Sequence, residues 1–530
     1  MKNDIVSEQN KSSDKSEANK NFDYIIVGAG SAGCVMARRL IDGTNANILL
    51  LEAGGSGDGI DTIENPMRWL ENIGSSHDYL YQYELTQLLN NRIIYAPRGK
   101  VLGGSGSINA MVWARGNKDD YNGWDSLGNK GWDYKSVIPL FKKIEDWQGG
   151  ETDFHGAGGP IHIQSPTQFH FVDAAIIEAA KSYGMPYHED INGSEPEGTG
   201  PMSMNIKDGK RCSPFEGYLK PVLENENLTV VTQAKVLHLN LKGSKCTGLK
   251  YLHNEVVVNV DAAKEVILCA GAIESPRILM LSGIGNTTDL QKLNIDTKIN
   301  LPGVGKNLQD HPLLSMMYET NEPLGDLTNN LGGSNLFWKS SPFIHKADLM
   351  LVPIQVGIAT DEIAKKYPIP SNVFSVFVTL IDVKSRGEIK MRSNAHDAPL
   401  HIQPNFLQDP DDFKAMEKAV ELCMELAAQP AFRNVVKRWV APDKLISKEE
   451  IKSFIRDACS TYFHPVGTCA MGNGKDAVVD NELKVHGVEG LRIVDASIMP
   501  QITTANTNAP TLMIGEFAAE LIIGRSSTSV

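Results

Sequence analysis

Long apolar runs are missing from this 530-residue sequence. A transmembrane helix needs a run of about 18 or more apolar residues, and no such run occurs. Residues 1–21 are almost wholly polar and lack the apolar stretch that a secretory signal peptide requires. We therefore expect a disordered tail at residues 1–21, no membrane span and a location in the cytoplasm.

Cysteine is scarce, and its spacing follows no pattern. The chain has seven cysteines, an odd number, and no Cys-x-x-Cys pair: Cys34, Cys212, Cys246, Cys269, Cys423, Cys459 and Cys469. This distribution favours buried or idle thiols in a reducing compartment over a disulfide framework or a zinc site. No metal is predicted.

A surplus of positive charge is also missing. The formal net charge is -13, and no cluster of lysine and arginine offsets it. This argues against a nucleic-acid partner and against attraction to an anionic membrane, although peripheral membrane association stays open. The 42% hydrophobic and 22% charged residues are typical of a soluble globular protein, and the length suggests several domain equivalents.

A glycine-rich turn between two apolar runs is the first motif. Phe22–Val27 is predicted to be a buried strand that ends at the turn Gly28-Ala29-Gly30-Ser31-Ala32-Gly33, and a helix pattern follows. A second apolar run, Ile48–Leu51, ends at Glu52. Such a βαβ unit with a terminal acidic residue indicates a dinucleotide site. The alternative is a glycine turn in an ordinary α/β sheet, which would not require the strand, the helix and the acidic residue at these spacings.

The residue types in this unit match the needs of a dinucleotide. Gly28 permits a tight turn, Gly30 lets the backbone approach a pyrophosphate, and Gly33 lets the helix pack on the strand. The start of the helix offers free N–H groups and its positive dipole end to phosphates. Glu52 can accept hydrogen bonds from a ribose.

Residues 97–116 (PRGKVLGGSGSINAMVWARG) form a second small-residue segment. Its glycines allow the backbone to run against a flat ligand. A flexible loop is the alternative, but the apolar residues within the segment would be costly to expose to water. An ordered wall beside a cofactor is the better interpretation.

The C-terminal part carries the most informative pattern. His464 lies in the run Tyr462–Thr468, and the apolar strand Leu491–Val494 ends at Asp495-Ala496, a plausible second cofactor contact. The segment 506–511 (Asn-Thr-Asn-Ala-Pro-Thr) precedes an apolar helix, whose first turn could direct N–H groups at a flavin carbonyl.

Between these motifs, strand and helix patterns alternate. Leu228–Leu241 is predicted to form paired strands, and Val266–Gly285 a strand, a glycine turn and a helix. Within residues 312–460, strands are predicted at 372–380 and 387–391 and an amphipathic helix at 411–428. This region lacks a nucleotide signature and is interpreted as an inserted substrate domain.

Taken together, the motifs resemble those of the glucose–methanol–choline (GMC) oxidoreductase family, in its choline/alcohol dehydrogenase-like branch. The matching segments are VGAGSAG with Glu52, GKVLGGSGSIN, GAIESPRILMLSGIG, LPGVGKNLQDH, HPVGTCAMG, VDASIMP and NTNAPT, in that order. The resemblance covers about residues 22–525. It implies an α/β fold: an FAD-binding Rossmann-like domain with an inserted substrate domain of antiparallel sheet plus helices. The expected division is 22–165, 205–311 and 460–530 for FAD, and 166–204 and 312–459 for substrate.

The resemblance also implies roles for individual residues. His464 and Asn508 are expected at the flavin ring as the catalytic pair. Asn109, Ala110 and Val112 would line the flavin, Val236 the adenine, and Ala270 with Gly271 the ribose-phosphate part. The whole predicted cofactor-binding set is Gly28, Gly30, Ser31, Ala32, Gly33, Glu52, Ala53, Val101, Gly103, Gly104, Asn109, Ala110, Val112, Val236, Ala270, Gly271, Asp495, Ala496, Asn508, Ala509 and Thr511.

Two departures from the family pattern bear on function. Some relatives attach FAD covalently through a histidine four residues before Lys100, where this chain has Ala96, so FAD is expected to be non-covalent. A choline-specific member would need an acidic, aromatic-lined site for the quaternary ammonium. The inserted region has Phe337, Trp338, Phe374 and Phe377, but aromatic residues in such a domain are more often core.

The predicted function is FAD-dependent oxidation of an alcohol to the aldehyde or ketone. His464 would act as general base, Asn508 would hold the same oxygen, and hydride would pass to flavin N5. Choline-type or sugar-type dehydrogenase and oxygen-using alcohol oxidase remain open within the family, as does an FAD-containing lyase. A nicotinamide-dependent dehydrogenase would not need the C-terminal His and Asn motifs. The electron acceptor could be oxygen, a quinone or another molecule.

The remaining histidines carry no comparable signal. His311 lies beside Asp310 in an NLQDHP turn, where a structural hydrogen bond is the preferred interpretation. His155 and His162 have no partner spacing that suggests chemistry.

Overall fold

The computed structural model describes residues 21–524. The predicted disordered tail, residues 1–21, lies outside this range except for its last residue. Within the range, strands and helices alternate along the chain and build two sheets, one largely parallel and one antiparallel. The predicted α/β class with an antiparallel second sheet is confirmed.

The strands are β1 (Phe22–Val27), β2 (Ile48–Leu51), β3 (Tyr81–Gln82), β4 (Tyr95–Ala96), β5 (Glu145–Trp147), β6 (Ile161–Ile163), β7 (Gly198–Pro201), β8 (Ile206–Lys207), β9 (Lys210–Arg211), β10 (Leu228–Val231), β11 (Lys235–Lys242), β12 (Lys245–His253), β13 (Val256–Leu268), β14 (Ile284–Gly285), β15 (Ile299–Asn300), β16 (Pro312–Thr320), β17 (Ser334–Trp338), β18 (Leu349–Ile354), β19 (Val373–Leu380), β20 (Glu388–Met391), β21 (Leu400–Gln403), β22 (Val436–Ala441), β23 (Ser460–Thr461) and β24 (Leu491–Ile493).

The α-helices are α1 (Ser31–Gly43), α2 (Asp61–Glu64), α3 (Lys118–Ser126), α4 (Tyr134–Ile144), α5 (Phe171–Tyr183), α6 (Gly271–Leu281), α7 (Thr287–Lys292), α8 (Asp361–Lys366), α9 (Pro410–Ala427), α10 (Pro430–Val435), α11 (Lys448–Ala458) and α12 (Asn508–Ile523). Short 3₁₀ segments occupy Pro66–Asn72, Gln87–Leu89, Gly104–Ser107, Lys220–Val222 and Ala496–Ile498, and Phe215–Leu219 is a π-helical turn.

The parallel sheet is built around the first βαβ unit. Strands β10, β2, β1 and β13 lie side by side in parallel, and β24 joins the last part of β13, also in parallel. The first part of the long strand β13 pairs instead with β12, which continues antiparallel to β11. All four residues of β2 are buried, as expected for a parallel strand covered on both faces.

The antiparallel sheet runs in the order β22-β16-β19-β18-β17-β7, with β23 beside the start of β16. Every pairing within it is antiparallel. All eight residues of β19 and all six of β18 are buried, and helix α9 packs on both strands. Asp409 caps the start of helix α9, because its side chain accepts a hydrogen bond from the N–H of Asp411 at 2.9 Å.

Most predicted elements are confirmed, and one pairing is wrong. The expected strands at 22–27, 48–51 and 372–380 and the helix at 411–428 match the structure to within about a residue. Strands β10 and β11, however, do not pair with each other. Strand β10 lies beside β2, and β11 beside β12, because each finds its partner from another part of the chain.

The helices and the cysteines of residues 21–524 bear on two of the sequence-based expectations, which concern a membrane span and a disulfide framework. None of these helices is both long enough and apolar enough to cross a bilayer. All seven cysteines fall within the described part of the chain, and each is a buried free thiol.

Candidate active site

A cavity of about 850 Å³ lies where the two sheets meet. One end is formed by the carboxyl ends of β1, β13 and β24, and the other by residues of β18 and β19 in the antiparallel sheet. Crevices at the carboxyl ends of parallel strands are the usual binding places for nucleotides in open α/β sheets. The cavity is therefore continuous from a nucleotide-type edge to the second sheet.

The glycine loop forms the wall nearest to β1. A Cβ atom on Gly33 would come within 1.9 Å of the carbonyl oxygen of Gly28, so only glycine allows α1 to pack here. Gly30 is different, because a Cβ atom there would meet no atom closer than 3.9 Å, the carbonyl oxygen of Cys269. The space beside Gly30 belongs to the cavity.

Two helices begin at this cavity without a side-chain cap. The residues before them, Gly30 for α1 and Thr507 for α12, make no capping hydrogen bond through a side chain. Helix N-termini carry unpaired N–H groups and the positive end of the dipole, so both favour anionic or carbonyl oxygen. Asn508 joins them, since its Oδ1 accepts a hydrogen bond from Ser31 Oγ at 2.7 Å.

Glu52 closes the end of β2, as predicted. Its two carboxylate oxygens accept hydrogen bonds from the N–H groups of Ala29, at 2.9 Å, and Gly54, at 2.8 Å. Burial raises the pKa of Glu52 to about 7, even though these N–H groups favour the charged form. Each oxygen keeps a lone pair for a further donor such as a ribose hydroxyl.

Asp495, which the sequence predicts to be a second cofactor contact, follows β24. It lines the cavity, but its Oδ2 accepts hydrogen bonds from the Gly271 N–H at 2.9 Å and from Ser275 Oγ at 2.6 Å. It therefore caps α6 and holds that helix against β24. Burial raises the pKa of Asp495 above its ordinary value.

The predicted wall of small residues packs against the glycine loop, since the N–H of Gly103 donates a hydrogen bond to the carbonyl oxygen of Ala29 at 2.7 Å. Asn109 lines the cavity, and its Oδ1 accepts hydrogen bonds from Arg211 Nη1 at 2.7 Å and from the Met111 N–H at 2.9 Å. The guanidinium of Arg211 is buried, and burial lowers its pKa to about 9. Asn109 is thus fixed in one orientation beside the cavity.

His464 occupies the junction of the two sheets, directly after β23. The residue before it, Phe463, has a φ of 66°, a left-handed conformation that is strained for a non-glycine residue. Asp310 holds this turn from below: its Oδ1 accepts a hydrogen bond from the His464 N–H at 2.8 Å, and its Oδ2 from Tyr83 and Thr461, both at 2.6 Å.

The imidazole of His464 lies between two further residues. Its Nδ1 is 2.9 Å from Nδ1 of His311, and its Nε2 is 3.3 Å from Nδ2 of Asn506. Because an amide nitrogen only donates, Nε2 of His464 is the accepting, unprotonated nitrogen, and Nδ1 carries the proton that it donates to His311.

Electrostatics keep this imidazole neutral. Burial is the main cause that holds the pKa of His464 well below its usual value, and the neighbouring His311 and the cation of Arg98 act in the same direction. Burial likewise lowers the pKa of His311 to about 3. His464 therefore presents an unprotonated Nε2 to the cavity at neutral pH.

The structure brings most of the predicted residues to the cavity. The residues that line it are Gly28, Gly30, Ser31, Ala32, Glu52, Ala53, Gly104, Asn109, Ala110, Val112, Val236, Ala270, Gly271, Asp495, Ala496, Asn508 and Thr511, with His464. Four members of the predicted set do not line it. Gly33 packs α1 on β1, Val101 is fully buried among apolar side chains, and Gly103 and Ala509 lie behind the lining residues.

The pairing of His464 with Asn508 stays a prediction, and the structure adds a second amide at the same cavity. The amide beside His464 belongs to Asn506, whereas Asn508, two residues on, turns towards Ser31 at the start of α1. Asn508 is the first residue of α12 and Asn506 precedes the helix, so their side chains point to different parts of the cavity. Both residues belong to the predicted segment 506–511, and both line the cavity.

Other functional positions were missed or assigned no role. The sequence patterns mark Asp310 only as a neighbour of His311, and they indicate no role for Arg98 or Tyr83. Their hydrogen bonds join residues far apart in the chain, so no local spacing could have found them. His311 does form a structural hydrogen bond, and its partner is His464.

The two remaining histidines belong to ion-pair clusters. His155 lies between Glu145, at 2.8 Å, and Asp190, at 2.9 Å, and His162 contacts Asp146 at 2.9 Å. Within residues 21–524, no group of three or more His, Cys, Asp or Glu residues could hold a metal ion.

The cavity has the features that FAD requires. Open space beside Gly30 suits a pyrophosphate, and the uncapped start of α1 supplies N–H donors to it. At the start of α12, the amide Nδ2 of Asn508 is buried and has no hydrogen-bond partner, which suits a carbonyl oxygen of a flavin ring. The residues present therefore fit the cofactor.

Comparison with known proteins agrees with this geometry. A family model described as GMC oxidoreductase matches residues 22–313 with its N-terminal part and 383–515 with its C-terminal part. The mitochondrial choline dehydrogenase of Homo sapiens is 37% identical over 541 residues, covering 96% of this chain and 91% of that protein. An oxygen-dependent choline dehydrogenase of Paraburkholderia phytofirmans is 37% identical, covering 96% and 95%. The crystal structure of pyridoxine 4-oxidase from Mesorbium loti superposes with a TM-score of 0.90 and 32% identity, covering 94% and 99%.

Proposed function

The chain belongs to the GMC oxidoreductase family, and from this premise we propose that His464 is the base that removes the hydroxyl proton of an alcohol held in the cavity. The protein is an FAD-dependent oxidoreductase that acts on the CH–OH group of a small-molecule alcohol. The lyase alternative finds no support among these relatives.

A single observation carries the proposal: His464 Nε2 and Asn506 Nδ2 lie 3.3 Å apart at the cavity wall. One accepts a hydrogen bond and the other donates one, which is the complement of an alcohol hydroxyl. An alcohol oxygen placed between them would donate its proton to His464 and accept a hydrogen bond from Asn506. A positioned general base contributes roughly 10²–10⁴ in rate, and a donor at a developing oxyanion about 10²–10³.

His464 is supported in this role from its far side. Its Nδ1–H is directed at His311 Nδ1, which fixes the tautomer and aims Nε2 at the cavity. As negative charge grows on the alcohol oxygen, Asn506 stabilises it by donating Nδ2. When bound, the flavin supplies the chemistry that accepts the hydride from the alcohol carbon at N5.

Two domain-level roles and the attachment of FAD complete the proposal. The parallel-sheet part (22–165, 205–311 and 460–530) would bind FAD and the antiparallel-sheet part (166–204 and 312–459) the substrate, although β23 at 460–461 pairs with the antiparallel sheet. FAD would be held without a covalent bond, because Ala96 offers no nucleophile. Acid precipitation of the purified protein should leave the flavin in the supernatant.

The test of the base is anaerobic reduction of the bound flavin by an alcohol, followed as bleaching of its absorbance. His464→Ala should retain FAD and lose bleaching by at least about 100-fold. Asn506→Ala and Asn508→Ala form a matched pair. The first should slow bleaching with flavin content unchanged, and the second should lower flavin content. Unchanged bleaching in His464→Ala contradicts the proposal.

The acceptor and the compartment are further parts of the proposal. Oxygen and a quinone are both chemically competent acceptors, and peroxide release during reoxidation distinguishes them. A cytoplasmic location is supported by the seven buried free thiols within residues 21–524. Imaging of the tagged protein in its own cells tests the location.

A further inference from the structure

The half of the cavity beyond His464 is apolar. We call the following residues the substrate face, because they line the cavity, share one hydrophobic cluster and adjoin the His464–Asn506 pair: Trp69, Met111, Val352, Ile354, Phe377 and Tyr462. Val352 and Ile354 are two residues apart on β18, so both side chains project from the same side of that strand.

Five carboxylates line the cavity, and four of them have partners within the protein. Glu52 and Asp495 bind backbone N–H groups at the nucleotide-type end, Glu274 accepts a hydrogen bond from Tyr81, and Glu84 pairs with Arg392. The fifth, Asp397, lies in the segment next to β21. Of these five lining carboxylates, none lies on β18 or β19, the strands that carry Val352, Ile354 and Phe377.

Two buried carboxylates lie near the substrate face without lining it. Asp310 faces away from it, towards Tyr83, Thr461 and the His464 N–H. Asp173 is held by Ser334 Oγ at 2.9 Å and Gln355 Nε2 at 3.1 Å. Neither can reach a charge in the cavity without giving up these bonds.

A positive charge lies close to the reacting end. Arg98 lines the cavity, and its guanidinium donates a hydrogen bond to the carbonyl oxygen of Phe463, the residue before His464. The aromatic rings there also pack on one another: Tyr462 meets Phe377 edge to face, with centroids 6.3 Å apart, and His464 at 4.7 Å.

We propose that the substrate is an uncharged alcohol with an apolar body, and that the substrate face discriminates against alcohols carrying a quaternary ammonium. This rests on the proposed function, which places the hydroxyl at His464. The alcohol carbon would lie over the flavin side and the apolar body against Val352, Ile354 and Phe377. A trimethylammonium group in the same place would be buried among apolar side chains without a counter-ion, which is unfavourable.

The experiment compares choline with 3,3-dimethylbutan-1-ol, which has the same shape but a carbon in place of the charged nitrogen. Dissociation constants are measured without oxygen from the perturbation of the oxidised flavin spectrum, and bleaching rates are recorded in the same titrations. The neutral alcohol should bind at least about 100-fold more tightly than choline. Equal or tighter binding of choline overturns the inference, and so does failure of the neutral alcohol to bind.

The two readouts separate this inference from the proposed function. Selective binding of the neutral alcohol without bleaching supports the charge discrimination but contradicts the proposed oxidation. Selective binding with bleaching supports both. Bleaching by choline alone keeps the oxidation and overturns the substrate class.

A pair of variants tests the cause. Ile354→Glu places a carboxylate on the substrate face, and Ile354→Gln has nearly the same size without the charge. Choline should bind at least about tenfold more tightly to Ile354→Glu than to Ile354→Gln, while the neutral alcohol should not. Equal choline binding by the two variants overturns the electrostatic explanation. If the glutamate variant does not retain flavin, the comparison of the two alcohols on the unmodified protein still decides the inference.

Discussion

Asp310→Asn is the substitution that most directly tests how His464 is held. Asp310 is only 4% exposed, and its carboxylate accepts three hydrogen bonds, from the His464 N–H and from the hydroxyl groups of Tyr83 and Thr461. Asparagine has the same shape but replaces one oxygen with an NH₂ group. No cavity is created, so any effect comes from hydrogen bonding and charge.

The magnitude follows from which donors lose their acceptor. If NH₂ replaces Oδ1, the buried His464 N–H is left facing another donor. If it replaces Oδ2, the hydroxyl groups of Tyr83 and Thr461 must rotate to accept instead. An unsatisfied buried donor costs about 1–3 kcal/mol, and a hydrogen bond to a charged group contributes about 1.5–3 kcal/mol. We expect a loss of about 2–4 kcal/mol in the free energy of unfolding.

Asp310→Asn should also slow flavin reduction, because Asp310 holds the turn that carries His464. The turn at Phe463 has a φ of 66°, a conformation that costs on the order of 1–3 kcal/mol for a non-glycine residue. Without Asp310 the turn can relax, and Nε2 of His464 moves away from Asn506. Because a displacement of about 1 Å at a reacting group can reduce a rate by about 100-fold, we expect at least about a tenfold slower flavin reduction.

The control is Asp412→Asn. Asp412 is equally buried and accepts hydrogen bonds from the N–H groups of Lys384 and Ser385, but it does not line the cavity. Both variants should unfold at lower guanidinium concentration, whereas only Asp310→Asn should slow anaerobic bleaching at saturating alcohol. A rate within about twofold of the unmodified protein, together with reduced stability, would refute the positioning role.

Three further outcomes are expected. First, the low pKa of His464 predicts that kcat/KM rises with pH through a value well below 6.5 and is level above it; an acid limb centred at or above that value contradicts the assignment of the base. Second, the pKa of His311 is about 3 in the folded protein and about 6.5 in the unfolded chain, so only the unfolded chain is protonated between these values. The free energy of unfolding should therefore decrease as the pH is lowered from about 6.5 to about 3. His311→Asn removes this dependence, and its unfolding free energy relative to the unmodified protein should shift by about 2 kcal/mol between pH 7 and pH 5 in denaturant titrations. Third, Gly30→Ala should fold but lose FAD, because its Cβ clears the protein by 3.9 Å and projects into the cavity, whereas Gly474→Ala, with open space around it, should retain FAD; equal flavin content in the two variants would contradict the loop's role.

Local sequence was sufficient for the first βαβ unit because its signals are short in range. The apolar runs at 22–27 and 48–51 became β1 and β2 with the predicted bounds, and Gly33 was needed for helix packing as expected. The long-range part of the sheet was not accessible in this way. Strand β10 pairs with β2 across more than 170 residues, and no feature of either strand specifies that partner.

The hydrogen-bond partners of Asn506 and Asn508 could not be predicted for a similar reason. Both asparagines lie at the start of α12, where the chain changes from an irregular segment to a helix. The direction of each side chain depends on the residue at which the helix begins, and sequence patterns place that residue only to within about two positions. A shift of two residues is enough to move an amide from the start of α1 to His464.

The catalytic end of the cavity concentrates features that are unfavourable by themselves. Phe463 has a left-handed backbone, Asp310 is a buried carboxylate, and His464 and His311 are buried imidazoles whose pKa values are lowered. A protein selected for stability alone would have no reason to place them together, because apolar residues of similar volume would avoid each cost. Their common effect is to present one unprotonated nitrogen to the cavity in a fixed direction. The strain at Phe463 therefore supports the same active site as the motif that contains it, through an observation that is independent of the motif.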